Sequence, residues 1–330
     1  MKNKIKPELI PEAPVGISIY SVRQQAPYFL KGFMEIIYCF KGPVAMSTKG
    51  QSLTLHEGDI ISCDPLDIRY MSCAEENLLV SFYFDLRDPV FQKENLEHIY
   101  FICEPLATPV LKQPELQNLK RQLLTLLYFY CFPHPKLNWA DIANRLAVNI
   151  VNTMLDHFHY FDFINYSMDF SDEMKERFEE IMIYIDKNYS TKITLGKLCE
   201  LYHFNYKYLS HFFKKTSFVG FPKFIANVRG YHASCLLLET NKNISDIAYE
   251  TGFSSPLYYY QNSRFWTEMT PNQYRKAMRE LEAASVNDVY YDVSEKKEEL
   301  KHFISLYFAV LQVPDLWLEP FVPRKGLPEY

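Results

Sequence analysis

What this 330-residue chain has little of narrows its class before any motif is read. The longest apolar run, Leu123 to Phe132 with only Thr125 as a break, is about half of the roughly 20 residues that a membrane-spanning helix needs. No membrane partner is therefore expected. His56 is the only histidine between residues 1 and 97, so no metal of the clustered His and Glu kind and no metal-dependent enzyme is expected there. The seven cysteines, at 39, 63, 73, 103, 131, 199 and 235, form no Cys-x-x-Cys pair and are odd in number. That pattern fits buried structural thiols in a reducing compartment. An apolar leader is also missing: lysines at 2, 4 and 6 are followed by Pro7, Glu8, Pro11 and Glu12, and a cytoplasmic location is the expectation. Glycine is sparse, at 10 against 25 each of Tyr and Phe, and nothing functional follows from it.

With 48% hydrophobic and 23% charged residues, the chain has a globular composition and length for two or three domains. Its net charge of −5 is unevenly spread. Residues 174–280 carry 15 Lys+Arg and 10 Asp+Glu, a net of +5, so the remainder carries 20 and 30, a net of −10. A basic segment inside an acidic chain suits phosphate contact without indiscriminate coating of nucleic acid.

Short β-type runs with turn signals between them fill residues 15–84, among them Met34 to Phe40, Ser52 to Leu55, Ile60 to Cys63 and Leu78 to Phe84. Regular spacing predicts a small antiparallel barrel or sandwich. The period then changes. Leu116, Leu119, Leu123, Leu126, Leu127 and Tyr130 share one helix face, and Ile142, Leu146, Ile150 and Leu155 another, with Pro133 and Pro135 between. This helical hairpin is expected either to pack on the sheet or to form a dimer interface.

The informative feature is a repeat 49 residues apart: Leu195-x-x-Leu198-Cys199-x-x-x-His203-Phe204-Asn205 and Ile244-x-x-Ile247-Ala248-x-x-x-Gly252-Phe253-Ser254. Each copy reads as helix, tight turn, helix, and duplication of such a unit suits reading two turns of one duplex. In the first, Leu209, Phe212 and Phe213 face inward. Asn205, as helix cap, and Tyr206, Lys207, Ser210, His211, Lys214 and Lys215 are the candidate DNA contacts. In the second, Gly252 permits a left-handed turn, Ser254 caps, and Ser255, Leu257, Tyr260, Gln261 and Arg264 are the groove-side candidates. Phe221 to Leu238 is expected as a helix that sets the spacing. Thr270-Pro271-Asn272-Gln273 has the form of a capping box.

Ile193-Thr194-Leu195, Tyr208 to Lys215, Val228-Arg229 with Ala233 and Leu236 to Leu238, Ile244 to Ser254, and Thr270 to Arg275 resemble the AraC/XylS family of bacterial transcription regulators over residues 178–277. The resemblance implies two helix-turn-helix modules on a linker helix, binding promoter DNA to activate or repress. It also implies a DNA contact or a role in domain integrity for Arg229. His203, Phe218 and Glu268 stand where the family usually has glycine, and the polar Asn262 and Ser263 stand at or beside a position usually filled by a buried aromatic.

Phe40-Lys41-Gly42, Leu55 to Ile61 and Pro65 are similar to the cupin-like barrel that often precedes that module. Tyr20, Arg23, Glu35, Tyr38, Arg69 and Tyr70 are the candidate effector-binding residues inside it. The expected fold is thus multidomain α+β: a cupin-like antiparallel β-barrel over 1–109, a helical hairpin over 110–165, a linker over 166–173, an all-α double helix-turn-helix domain over 174–280, and a C-terminal extension over 281–330. Within that extension a helix near 295–310 is expected to dock Leu300, Phe303, Ile304, Leu306, Tyr307 and Leu311 on the barrel or a second subunit. No cofactor and no enzymatic activity are expected. The expected partners are double-stranded DNA, a small-molecule effector, a second copy of the chain and, for an activator, RNA polymerase. The competing readings are a regulator acting by protein–protein contact and a cupin enzyme.

Overall fold

The computed structural model describes residues 7–105, 113–133, 135–160, 172–216 and 220–310. Seven strands come first: β1 (Val15–Ser21), β2 (Phe33–Lys41), β3 (Val44–Thr48), β4 (Gln51–Leu55), β5 (Ile60–Cys63), β6 (Arg69–Ser72) and β7 (Leu78–Asp85). An eighth, β8 (Val289–Tyr291), arrives from the far end of the chain. They form two antiparallel sheets, ordered β5-β2-β7-β1-β8 and β4-β3-β6. Backbone bridges at Gln24–Ser72 and Tyr28–Arg69 join the chain after β1 to β6.

Alternation along the central strands decides which side chains go where. Met34, Ile36, Tyr38 and Phe40 of β2 and Val80, Phe82 and Phe84 of β7 face α1 (Gln113–Cys131) and α2 (Trp139–His157). Ile37, Cys39 and Leu79 face the second sheet. The apolar faces of both helices are spent on this packing, with Leu119, Leu123, Leu126 and Leu127 at 0% exposure and Ile142, Leu146 and Ile150 buried with them. The hairpin's apolar stripe therefore belongs to the interior of this chain, and a dimer through the hairpin would have to use its other faces.

Among the described residues eight further helices follow: α3 (Asp172–Asn188), α4 (Leu195–Tyr202), α5 (Tyr206–Thr216), α6 (Phe221–Glu239), α7 (Ile244–Glu250), α8 (Pro256–Thr267), α9 (Pro271–Ala284) and α10 (Val293–Val310). Helix α3 starts two residues inside the segment expected as linker, and residues 161–171 lie outside those described. Two cores serve this region, one under α3–α5 around Phe178, Leu198, Leu209 and Phe213, the other under α7–α8 around Ala233, Ile247, Phe253 and Tyr259. Helix α6 contributes to both.

The C-terminal extension returns to the sheet. Tyr290 pairs with Tyr20 in β1, Val286 N donates to Gln24 O at 2.8 Å, and Asp288 accepts from Gln25 Nε2 at 2.7 Å. Helix α10 then buries Leu300 and Ile304, sets Phe303 against Phe40 and donates from Tyr307 to Gln117. Leu306 is instead half-exposed, and Leu311 lies outside the described residues.

A buried carboxylate ties the helical region to the sheet region a second time. Asp186 of α3 accepts from the Tyr100 hydroxyl at 3.0 Å and pairs with His98 Nδ1 at 2.6 Å and His232 Nε2 of α6 at 2.9 Å. Burial raises its pKa, but the hydrogen bonds and charges of His232 and His98 outweigh that and hold the carboxyl well below the usual range. Tyr231 donates to Asp67 and Lys31 pairs with Glu239 at 2.7 Å across the same seam.

Candidate nucleic-acid interface

In the first unit, Thr194 Oγ1 accepts from Lys197 N at 3.2 Å and starts α4. The turn runs through His203 at φ 54°, where glycine would be easier, and Phe204 N closes it on Cys199 O at 3.1 Å. The strain of a non-glycine residue there is on the order of 1 kcal/mol. An arginine that sequence reasoning missed helps hold it. Arg177 of α3 donates to Tyr202 O at 2.5 Å and His203 O at 3.1 Å, with its guanidinium 4.0 Å from the Phe204 ring. Its position 26 residues upstream gives no periodic signal; only packing reveals it.

Asn205 then caps α5, its Oδ1 accepting from Lys207 N at 2.9 Å. Leu209, Phe212 and Phe213 turn inward, and Phe212 stacks on Phe178 with ring centres 3.6 Å apart. With that face fixed, Tyr206, Lys207, His211, Lys214 and Lys215 are exposed on the outside, with Ser210 half-buried among them. Burial alone brings these six onto one surface.

The second unit repeats the design with changes. Asn243 caps α7, accepting from Asp246 N at 2.8 Å, and Gly252 takes the turn at φ 83°. A Cβ on Gly252 would stand 2.6 Å from Ser190 O, so the site excludes a side chain by contact as well as by dihedral. The cap of α8 is Ser255, accepting from Tyr258 N at 3.2 Å, rather than Ser254 as the sequence suggested. Pro256 occupies the first turn, which moves the cap one residue on. Ser254, Leu257 and Gln261 are exposed, Leu257 at 68%, and Tyr260 is half-buried with its hydroxyl accepting from Asn272 Nδ2 at 2.9 Å. The Arg264 side chain and Phe218 lie outside the described residues.

The polar residues inside the second unit are satisfied. Asn262 donates to Tyr258 O and accepts from Lys223 Nζ of α6, both at 2.8 Å, and Ser263 donates to Tyr260 O at 3.1 Å. Lys223 and Asn262 thus fasten α8 to α6, where an aromatic pair would have done so by area alone. Arg229 is likewise committed inward: Nε donates to Tyr189 O at 2.8 Å and Nη2 to Thr191 O at 2.7 Å, tying α6 to the end of α3. These bonds fit the structural half of the expectation for Arg229, since two of its five N–H donors are held by backbone carbonyls.

The effector candidates do not form one group. Glu35 and Arg69 meet at 0% exposure, Arg69 Nε donating to Glu35 Oε2 at 2.6 Å and Tyr28 donating to the same oxygen at 3.0 Å. Tyr20 lies on the same side of the sheet and bonds Ser81 Oγ at 2.8 Å. Tyr38 faces α1 and α10, Arg23 is exposed, and Tyr70 is half-buried one residue out of phase with Arg69. Placing all six in one cavity is therefore corrected by strand alternation. His56 is an exposed turn residue, its amide donating to Asp59 Oδ2.

A family model described as a helix-turn-helix domain matches residues 198–277. An uncharacterized HTH-type transcriptional regulator of Staphylococcus aureus is 22% identical over 82% of this chain and 36% of its own length. The uncharacterized HTH-type transcriptional regulator YijO of Escherichia coli is 29% identical over 38% of this chain and 44% of its own. Among solved structures, ToxT of Vibrio cholerae is 14% identical with a TM-score of 0.43, covering 80% of this chain and 98% of that one. Residues 198–277 therefore carry a helix-turn-helix domain of the AraC type. The matched part begins inside α4 and ends inside α9, so it holds both turns and both exposed helix faces. The chain spans about a third of the length of the staphylococcal relatives, 36%. Among the described residues, no helix is long and apolar enough to cross a membrane.

Proposed function

We propose that this chain is a sequence-specific DNA-binding transcription regulator of the AraC type, not an enzyme, contacting two successive major grooves of double-stranded DNA. The observation that carries this reading is the pair of turn-closed units sharing α6, each with one helix face buried and the other left open. On α5 that face offers Lys207, Lys214 and Lys215 for phosphates and Ser210 and His211 for base edges; on α8 it offers Leu257 and Gln261. Residues 1–109 serve in this reading as a cupin-like effector domain, 110–165 as its helical flank, 166–173 as the linker and 174–280 as the DNA module. The described part of the extension, up to residue 310, docks back on the sheet region. A small-molecule effector, a second copy and, for an activator, RNA polymerase are the further partners. Cytoplasmic placement goes with that role.

Changing Lys214 and Lys215 to Ala tests it. Gel-shift titration over a salt series should show weaker binding on every duplex and a shallower slope of log K against log salt, by about 0.9 for each phosphate no longer neutralised. Changing Gln261 should instead alter sequence preference. A wild-type protein forming no salt-sensitive complex with a random-library duplex pool refutes the reading.

A further inference from the structure

The two recognition helices are unequally supplied with cations. Helix α5 carries three lysines, whereas Arg264 is the one Lys or Arg in the sequence of α8. Helix α9 lies beside α8 and holds the missing charge. Thr270 and Gln273 begin α9 with a capping box, which sends Met278 inward and sets Tyr274 against the second core. Asn272, Arg275, Lys276 and Arg279 then fall on one outer side at helical spacing.

These four residues, with Glu280 and Ala283, line an open cleft of about 460 Å³. Arg275 Nη2 donates to Lys242 O at 2.7 Å and Arg279 Nη2 to Asn241 Oδ1 at 2.6 Å, so both guanidiniums are aimed by the loop before α7. Neither oxygen carries a charge that would neutralise them. Among the described residues Arg275 Nε has no hydrogen-bond partner, and burial followed by the like charge of Arg279 lowers the Arg275 pKa. The one carboxylate on the rim, Glu280, sits 3.7 Å from Lys276, and nearby Lys242 is paired with Glu250 at 2.6 Å. Two crowded cations facing an open cleft are a site that an anion would relieve.

The cleft also adjoins the right surface. Asn272 on its edge donates to Tyr260, which shares a row of α8 with Leu257 and Gln261. A helix lying in the major groove has a row of phosphates on each side, and a basic cleft next to that helix meets one of them.

We propose that Arg275 and Arg279, with Lys276 at the rim, form a site for DNA backbone phosphates that clamps the duplex beside the second recognition helix. This rests on the DNA-binding reading above. It gives the second unit the sequence-independent affinity that α5 builds into its own surface.

The test uses the full chain and a 30-base-pair duplex enriched from a random library by the wild-type protein. Arg279→Ala with Lys276→Ala removes two exposed side chains, and circular dichroism melting checks that the fold is kept. The slope of log K against log salt should fall by roughly 1.8, at about 0.9 per phosphate. Relative affinities among enriched sequences should stay unchanged, and phosphate ethylation should cease to interfere on the side of the second half-site. Arg279→Lys with Lys276 intact should restore most of the slope. A wild-type complex whose slope and ethylation pattern are unmoved by the double change overturns this inference alone. A wild-type protein that forms no salt-dependent complex overturns the DNA reading and the inference together.

Discussion

Arg69→Met should be among the most damaging single changes in the sheet region. Arg69 is 0% exposed, its Nε donating to Glu35 Oε2 at 2.6 Å and its Nη1 to Asp67 O at 2.8 Å. Methionine fills much of the volume but leaves the Glu35 carboxylate inside the protein with only the Tyr28 hydroxyl as partner. Stranding one charge of a buried pair costs about 3–5 kcal/mol. At about 2–4 °C per kcal/mol for a region of this size, the thermal midpoint should fall by roughly 6–20 °C. The cycle is completed by Glu35→Gln and by the double variant, which removes both charges. The double variant should lie closer to wild type than Arg69→Met does, because its loss is mainly a weakened hydrogen-bond network. Urea denaturation followed by far-UV circular dichroism gives all four stabilities. A loss below about 1 kcal/mol for Arg69→Met, or a double variant equal to the sum of the singles, refutes the claim that this pair is coupled and structural. An effector using either residue would first have to break their mutual bonds.

Two predictions concern other parts of the chain. Burial, opposed by the Gln25 hydrogen bond and reinforced by Glu35, raises the Asp288 carboxyl to about 6, above the roughly 3.9 of an unfolded chain. The folded state therefore holds this proton more tightly, and docking of β8 gains stability as pH falls through 6 and is penalised above it. Urea midpoints measured from pH 8 to 5 should rise more for wild type than for Asp288→Asn; parallel curves would show that the strand does not bury this group. Gly252→Ala forces a Cβ against Ser190 O at a left-handed dihedral and should cost about 2 kcal/mol or more, with loss of DNA binding. Wild-type melting and affinity in that variant would remove the turn assignment.

The repeat was legible because helical period and turn chemistry are local. Asn205 and the Thr270–Gln273 box act within four residues of where they stand, so spacing alone places them. The error at Ser254 was also local, a cap displaced by the proline after it. Strand β8 escaped notice because three residues carry no period, and its partner in β1 is some 270 residues away; the Ser21–Tyr291 hydrogen bond spans that separation. The effector candidates failed as a group for a different reason. Side-chain direction in a strand reverses at every residue, so Glu35 and Tyr38, or Arg69 and Tyr70, part company however suggestive their chemistry.

Sequence by itself determined that two helix-turn-helix units lie in tandem, which faces of their helices are apolar, and that basic charge gathers around them. Those properties depend on residues a few positions apart, and a heteropolymer expresses them wherever it can bury one face of a helix. Tertiary structure alone decided that Arg177 steadies the first turn, that Asp186 joins three segments through two histidines, and that the C-terminal strand closes back on the first sheet. It also decided that Arg275 and Arg279 crowd one cleft beside α8. The first three depend on distance in space between residues far apart in the chain, and the last on the packing of α9 beside α8 and the loop before α7, which no local pattern encodes.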